Sequence, residues 1–440
     1  MNFNQALQPL LLNKKKLLDT ESVCPICKKH IPASIVEIDG RIFIEKKCKE
    51  GFFRILFEND AGFFKNYFKL EKQMFSGSEW PFLPTEKDWK IVRRTLRTII
   101  LKITTHCNSN CNLCFEEANE NDDEMSKKDI ENIIKKIGKN KNVILWGGEP
   151  TTRYDIFEII KMISKHGNIP MIFTNGLKLS DLMYVKKLKE SGLRRVHLSF
   201  DGFNEEIYDK LRGNRNHLYL KLKALKNLET VGIETYLSAT IVGGINESEV
   251  PKILSFAIRN NHFIKFIFFN EAVPWGRFYI DMKKYLTASD IIKLLEKANL
   301  GTIRREYIIE FMKLKLKLVK LFGKFHFNFP SFVGTLFKVK NNRVEELIPL
   351  KVLKKMNKNI DEGKYVGLLR FILKNINFTK FFEMLLERRL EKEILGDNIL
   401  SIQFNKPCTP LTYLPYKTDS IEIRKSFEDK LPRFQYAGSA

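Results

Sequence analysis

Between residues 98 and 270 the chain alternates short β-rich runs with amphipathic stretches, and this alternation restricts the fold more than any other property of the sequence. The runs are RTIILKITT, NVILWGG, PMIFTNG, RRVHLSFDG, IETYLSATIVGG and FIKFIFFN. Between them lie SKKDIENIIKKIG, YDIFEIIKMISKHG, DLMYVKKLKESG, a long helical region through residue 229, and SEVPKILSFAIRN, whose apolar residues recur at helical spacing. Strands separated by helix-length connections pair in parallel. The expected fold class is therefore α/β, a partial barrel of six βα units. In such barrels functional groups gather at the C-terminal ends of the strands.

Other segments flank this core. A first unit is expected over 1–75 and a linker over 76–97, where turn and aromatic residues crowd the stretch MFSGSEWPFLPTEKDW. The barrel is expected over 98–280, and a mostly helical C-terminal cap over 281–440. The first unit carries a metal signature. Cys24-Pro25-Ile26-Cys27 is a knuckle, SIVEIDGRIFIEKKC reads as a hairpin turning at Asp39-Gly40, and the chain then returns to Cys48. Three thiolates are three quarters of a tetrahedral zinc or iron site. His30, Glu50 and the distant Cys408 are candidates for the fourth ligand.

A second cysteine group falls just after the first barrel strand. CNSNCNLCF places Cys107, Cys111 and Cys114 at C-x3-C-x2-C spacing. Three thiolates so spaced can each hold one iron of a 4Fe-4S cube, whereas full protein ligation needs four. One iron is left open to chelate a small molecule and pass it an electron. At the second strand end WGGEP offers Gly147 and Gly148, which permit close backbone approach, and Glu149, whose carboxylate can sit near an ammonium. Thr174 and Asn175 of FTNG end the third strand. Ser199 and Asp201 of SFDG end the fourth, and Asn246 follows the fifth.

CNSNCNLC directly after a strand, followed by WGGEP, resembles the radical S-adenosylmethionine (radical SAM) superfamily. The resemblance covers about 98–270. It implies a cluster on Cys107, Cys111 and Cys114 that reduces the sulfonium of S-adenosylmethionine, giving a 5′-deoxyadenosyl radical that abstracts hydrogen from substrate. It implies that the backbone of Gly147, Gly148 and Glu149 pairs with the methionine amino group. Ser199, Asp201 and Asn246 resemble the ribose and carboxylate contacts, with Thr174 and Asn175 as lesser ones and Phe115 shielding the cluster or packing on adenine. A ferredoxin or flavodoxin type of electron donor follows. The N-terminal ribbon is similar to that of the group containing archaeal tetraether lipid synthase and the related methanopterin methylase. Members of that group usually end the ribbon in C-P-x-H-G, where this chain has Cys48-Lys49-Glu50-Gly51. They also carry cysteines for auxiliary clusters. Here Cys408 alone lies beyond the two groups, too few thiolates for a second cube. Cys408 is left as a ribbon ligand, an idle thiol or a hydrogen-atom donor.

Substrate and location are less constrained. The seven cysteines are odd in number and the N-terminus lacks a secretory pattern, which places the chain in a reducing cytoplasm. A formal charge of +23 favours anionic partners, nucleic acid included. Lys313, Lys317, Lys320 and Lys324 share one face of FMKLKLKLVKLFGKF, and Phe311, Leu314, Leu318, Phe322 and Phe325 another. With 35 phenylalanines and the ribbon resemblance, this basic amphipathic helix points to a hydrophobic or lipid-like substrate and peripheral membrane contact. The alternatives are modification of a peptide or RNA, and a non-catalytic iron–sulfur sensor. Asn270, Glu271, Trp275 and Arg277, at the sixth strand end, are candidates for substrate contact.

Overall fold

The structure is a computed structural model. It describes residues 14–24, 27, 30–66, 98–114, 118, 124–272, 277, 284–321, 333–364, 398–404 and 420–423. Phe115, Trp275, Cys408, Phe322, Lys324, Phe325 and the side chains of His30, Leu318 and Lys320 lie outside the described residues.

Strands β1 (Lys15–Val23), β2 (His30–Ile38), β3 (Arg41–Cys48) and β4 (Gly51–Glu58) form an antiparallel sheet in the order β1-β2-β3-β4. The expected hairpin is β2–β3. Asp39 and Gly40 take φ of 48° and 74°, the positive pair that a two-residue turn needs to match strand twist. Alternation along the strands buries Ile35, Ile42 and Phe57 on a small core closed by Ala61 and Phe64 of a helical turn.

The barrel strands follow in sequence order, all parallel: β5 (Thr98–Thr104), β6 (Asn142–Gly147), β7 (Ile169–Thr174), β8 (Arg195–Ser199), β9 (Glu234–Ile241) and β10 (Ile264–Glu271). Helices α1 (Lys127–Ile137), α2 (Ile156–Lys165), α3 (Leu182–Glu190), α4 (Glu205–Arg212), α5 (His217–Val231) and α6 (Val250–Arg259) connect them. Period-two alternation gives each strand two destinations. Ile99, Leu101, Val143, Leu145, Val196, Leu198, Leu237, Ile267 and Phe269 join the helices' apolar faces in the main core. Each such burial contributes roughly 1.5–3 kcal/mol. The other faces turn into the barrel.

The C-terminal region adds three helices, α7 (Ala288–Lys297), α8 (Arg305–Leu321) and α9 (Leu350–Asp361), together with four strands the sequence reading did not anticipate. Strand β13 (Ile399–Phe404) pairs parallel with β10, and β11 (Val333–Lys340) and β12 (Arg343–Glu346) continue antiparallel from it. On the opposite edge β14 (Ser420–Ile423) pairs parallel with β5. The result is a sheet of ten strands. Local periodicity missed these strands because their partners are remote in sequence. Asn341 and Asn342, both at positive φ, were the legible sign of the β11–β12 turn.

The lysine-rich helix packs as an ordinary surface helix. Phe311 and Leu314 are buried in the main core, Lys313 pairs with Glu310 at 2.6 Å, and Lys317 pairs with Asp361 at 2.7 Å. Among the described residues no helix is long and apolar enough to cross a membrane.

Candidate active site

The group of Cys107, Cys111 and Cys114 sits in a loop that three elements hold. At the β6 end, the N–H of Gly148 donates to the Thr104 carbonyl at 2.9 Å and that of Glu149 to the His106 carbonyl at 2.8 Å. The loop then docks on the C-terminus of α4, where Leu113 N–H donates to Leu211 O at 3.2 Å and Asn112 Nδ2 to Lys210 O at 2.9 Å. Helix C-termini present unpaired carbonyls, so this partner was available. Arg277 closes the third side. Its N–H donates to Cys114 O at 3.0 Å, and its guanidinium donates to Ala118 O at 2.8 Å and to Asn110 Oδ1. Arg277 thus clasps the cysteine loop. Nearby Asn270 donates to Ser238 Oγ at 2.8 Å, while Glu271 is buried and accepts from Tyr285 Oη at 2.5 Å.

Gly147 and Gly148 are needed for the first of these junctions. A Cβ on Gly147 would lie 2.0 Å from Thr104 O and one on Gly148 2.1 Å from His106 O. The close approach is to the cysteine segment itself.

Glu149 is fully buried and takes four hydrogen bonds: from Thr151 N–H (3.0 Å), Thr151 Oγ1 (2.5 Å), Thr174 Oγ1 (2.8 Å) and Asn175 N–H (2.6 Å). Burial pushes its carboxyl above the ordinary range, against the pull of those donors. It ties the β6 and β7 ends together. Asn175 in turn reaches back, its amide nitrogen donating to Asn108 Oδ1 at 2.8 Å and toward Cys107 Sγ at 4.0 Å.

Asp201 and Asn246 are also fully buried. Asp201 accepts from Arg212 Nε at 2.7 Å, Arg212 Nη2 at 3.0 Å and Thr240 N–H at 3.0 Å. Asn246 accepts from Val242 N–H at 2.7 Å and donates to Asp201 O and Thr240 O, both at 2.9 Å. In this structure both side chains join strand ends to each other. Ser199 differs, being half-buried at the β8 end with its hydroxyl beside Lys221.

Two cations here escaped the sequence reading. Arg212, at the end of α4, forks onto Asp201 and faces the Cys111 sulfur, and the Asp201 charge holds it above its ordinary pKa against the cost of burial. Lys221 on α5 is 1% exposed and donates to Asn175 O, Ser199 O and Ser199 Oγ, each at 2.7 Å. Burial, helped by the nearby Arg212 charge, lowers its ammonium to about 8. A signal existed. Lys221 falls on the apolar stripe of Leu218, Leu225 and Leu228, where a charged residue is out of place.

Below Ser199, the inner face of the barrel is aromatic. His197 stands 4.1 Å from Phe173, 4.7 Å from Tyr236 and 5.1 Å from Phe268, ring centre to ring centre, and Phe266 stacks on Phe268 at 4.6 Å. Burial holds His197 well below its ordinary pKa, so it is neutral at neutral pH.

In the N-terminal sheet the sulfurs of Cys24, Cys27 and Cys48 lie within 4.8 Å of one another. Cys27 N–H donates to Cys24 Sγ at 3.4 Å and Glu50 N–H to Cys48 Sγ at 3.3 Å, so the backbone already favours sulfur charge. Lys46, 2% exposed, adds a cation beside Cys24 and Cys48, lowered to about 8 by burial against the pull of both thiols. Glu50 turns to Lys49 at 3.6 Å, and among the described residues no fourth ligand joins the three sulfurs.

Residues 101–257 match the radical SAM superfamily, over strands β5 to β9 and the cysteine loop between β5 and β6. This is a radical SAM domain. Residues 17–58 match the HMPTM N-terminal zinc ribbon domain, so a zinc ribbon precedes the radical SAM domain. Among curated proteins the chain is similar to 7,8-dihydro-6-hydroxymethylpterin dimethyltransferase of Methanocaldococcus jannaschii, 35% identical over 65% of this chain and 60% of that protein. It is also similar to GTP 3′,8-cyclase of Aquifex aeolicus, 29% identical over 46% of this chain and 65% of that protein. The chain thus spans less than two thirds of these relatives' length. Among solved structures, Streptococcus suis SuiB bound to its precursor peptide SuiA aligns at a TM-score of 0.40 and 18% identity, over 63% of this chain and 69% of that one.

Radical SAM domains use a 4Fe-4S cluster and S-adenosylmethionine, and the donor set here fits the cluster. Cys107, Cys111 and Cys114 are half-buried, Ser109 Oγ lies 3.2 Å from Cys111 Sγ, and Arg212 faces the same sulfur. Burial pushes the Cys107 thiol up to about 12, against the pull of a backbone hydrogen bond at Ser109, and a bound iron would favour its thiolate. Soft sulfur ligands with donors around them are what an iron–sulfur centre requires. The ribbon's three thiols fit a single zinc ion in the same way.

Proposed function

We propose that the protein is a radical SAM enzyme that abstracts hydrogen from a planar nitrogen heterocycle. The observation that carries this is the placement of the cysteine loop, fixed by Gly148, Glu149, α4 and Arg277, at the mouth of a barrel whose inner face is lined by Phe173, His197, Tyr236, Phe266 and Phe268. Cys107, Cys111 and Cys114 would hold the 4Fe-4S cluster, which, once reduced by a ferredoxin or flavodoxin type of protein, would supply the electron for reductive cleavage of S-adenosylmethionine.

The chain's own residues prepare the setting. Cys107, Cys111 and Cys114 hold the metal, and the half-buried Ser199 hydroxyl and Asn175 amide edge face the same strand ends. The aromatic rings offer flat faces for stacking, and neutral His197 offers one donor and one acceptor to a ring edge. The relatives are named for action on a pterin and on GTP, both of which contain a fused nitrogen ring, which supports a heterocycle. A lipid-like substrate has no such support, and the helix that prompted it packs within the fold.

Anaerobic reconstitution with iron and sulfide, then incubation with S-adenosylmethionine and dithionite, tests the reading. The intact protein should form 5′-deoxyadenosine, and the Cys107→Ala, Cys111→Ala, Cys114→Ala variant should form none. Deuterated 7,8-dihydro-6-hydroxymethylpterin is the first substrate to offer. An assembled cluster that never cleaves S-adenosylmethionine, with or without the pterin, would refute the enzymatic reading.

A further inference from the structure

Burial alternates along β5. Ile99, Leu101 and Ile103 enter the helix-covered core, while Ile100 packs with Ile144, Met171 and Tyr236 in the smaller core inside the barrel. Successive residues of a strand point to opposite faces, so Lys102 faces inward with Ile100. On β6 the same alternation turns Trp146 inward with Ile144, because Val143 and Leu145 belong to the outer core.

The strand registers set these residues side by side. Lys102 pairs with Trp146 across β5 and β6, Phe173 with His197 across β7 and β8, His197 with Tyr236 across β8 and β9, and Tyr236 with Phe266 across β9 and β10. Leu145 pairs with Ile172, so the residues that follow them, Trp146 and Phe173, continue the row. One level of the barrel is therefore lined by five rings and one lysine. His197 is neutral there, which makes Lys102 the one cation of the row, half-buried at its β5 end. A lysine lays its apolar stem along such rings and keeps three donors at its tip. Ring faces fix the plane of a flat ligand but leave it free to turn within that plane, and a cation at one end of the row removes that freedom. Because β5 leads into the cysteine loop, the anchored edge lies on the cluster's side of the barrel.

We propose that Lys102 is the specificity-determining residue of the substrate site: it selects flat nitrogen heterocycles that carry a ring oxo group and anchors that oxygen at the β5 side of the barrel. This deepens the heterocycle reading and rests on it. An ammonium has donors and no acceptor, so it favours a carbonyl oxygen and gains nothing from an amino group at the same ring position.

The test is isothermal titration of the full-length, reconstituted protein under anaerobic conditions. The probes are 7,8-dihydro-6-hydroxymethylpterin, which bears a ring oxo group, its analogue with an amino group in place of that oxygen, and the phosphate ester of its hydroxymethyl group. Wild type should bind the oxo compound about tenfold more tightly than the amino analogue. Lys102→Met and Lys102→Gln, whose iron content is measured first, should bind the two with equal affinity, since neither side chain carries a charge that tells a carbonyl from an amine. General damage to the site would weaken both ligands together and leave their ratio unchanged, so a preserved ratio in either variant overturns the proposal. Equal affinities in wild type overturn it without any variant, while leaving the heterocycle reading intact. Variants that lose affinity for the phosphate ester alone would assign Lys102 to a phosphate and overturn the oxo assignment. A wild-type protein that binds none of the three probes removes the heterocycle reading and this proposal with it.

Discussion

Gly148 packs against the His106 carbonyl so tightly that a Cβ would lie 2.1 Å from its oxygen, and this contact joins the GGE turn to the cysteine loop. Gly148→Ala must push the two segments apart and weaken the Glu149 N–H to His106 O bond of 2.8 Å. Overpacking of this kind costs roughly 1–3 kcal/mol, spent here on the loop rather than on the helix-covered core. The variant should keep its circular dichroism spectrum and incorporate less than half the wild-type iron. Full iron loading would show that the contact is dispensable.

His197 should govern substrate binding. Its imidazole stands among Phe173, Tyr236 and Phe268 on the inner barrel face, where phenylalanine fits with little loss of packing. His197→Phe is expected to keep the thermal midpoint near wild type, to keep substrate-independent cleavage of S-adenosylmethionine, and to bind 7,8-dihydro-6-hydroxymethylpterin about tenfold more weakly. Equal affinity by isothermal titration would remove His197 from recognition.

Glu58 should make the stability of the ribbon's contact with α7 dependent on pH. Its Oε1 accepts from Thr287 Oγ1 at 2.6 Å and from Ser289 Oγ, while Glu58 Oε2 and Glu271 Oε1 are buried with no hydrogen-bond partner among the described residues. Burial, with the Asp290 charge adding, raises Glu58 to about 7, and Glu271 is raised as well, by burial and by Glu58. Between its unfolded value near 4.5 and about 7 the folded chain holds a proton that the unfolded chain has lost. Stability from this group therefore falls as pH rises through that window and is flat above it, by on the order of 3 kcal/mol. Glu58→Gln keeps an acceptor and adds a donor, so urea denaturation from pH 5 to 8 should show a smaller decline than wild type. An unchanged decline would exclude Glu58 as its source.

The two cysteine groups should load independently. Cys24→Ser removes one of three converging thiols and should abolish zinc binding, lowering the stability of residues 15–58 by several kcal/mol. Cluster iron on the radical SAM domain should persist. Metal analysis after a chelator wash, with the visible absorbance of the cluster as the second readout, separates the sites, and loss of both metals together would show that ribbon and barrel are coupled.

Much of this was legible in the residues because it depends on local spacing. The six βα units follow from period-two runs alternating with helical periodicity, the hairpin from Asp39-Gly40, and the metal groups from cysteine spacing. Such patterns bind residues close in sequence, so their geometry follows from backbone rise and turn alone. Direction was not encoded that way. Whether Glu149, Asp201 and Asn246 face a ligand or the protein depends in part on partners remote in sequence, as with Thr174 to Glu149, 25 residues apart, and Asn246 to the Asp201 carbonyl, 45 apart. Arg277 read as a substrate contact and instead clasps a loop 167 residues earlier. Likewise, β11 to β14 gain their partners only when the sheet is assembled, and Lys221 becomes intelligible only when β7 and β8 bring Asn175 and Ser199 within 2.7 Å of its ammonium. The sequence alone determined the six βα units of the core and the spacing of the two cysteine groups. Tertiary structure decided where each polar side chain points, because a buried donor or acceptor must find a partner and that partner is set by packing rather than by neighbours in the chain.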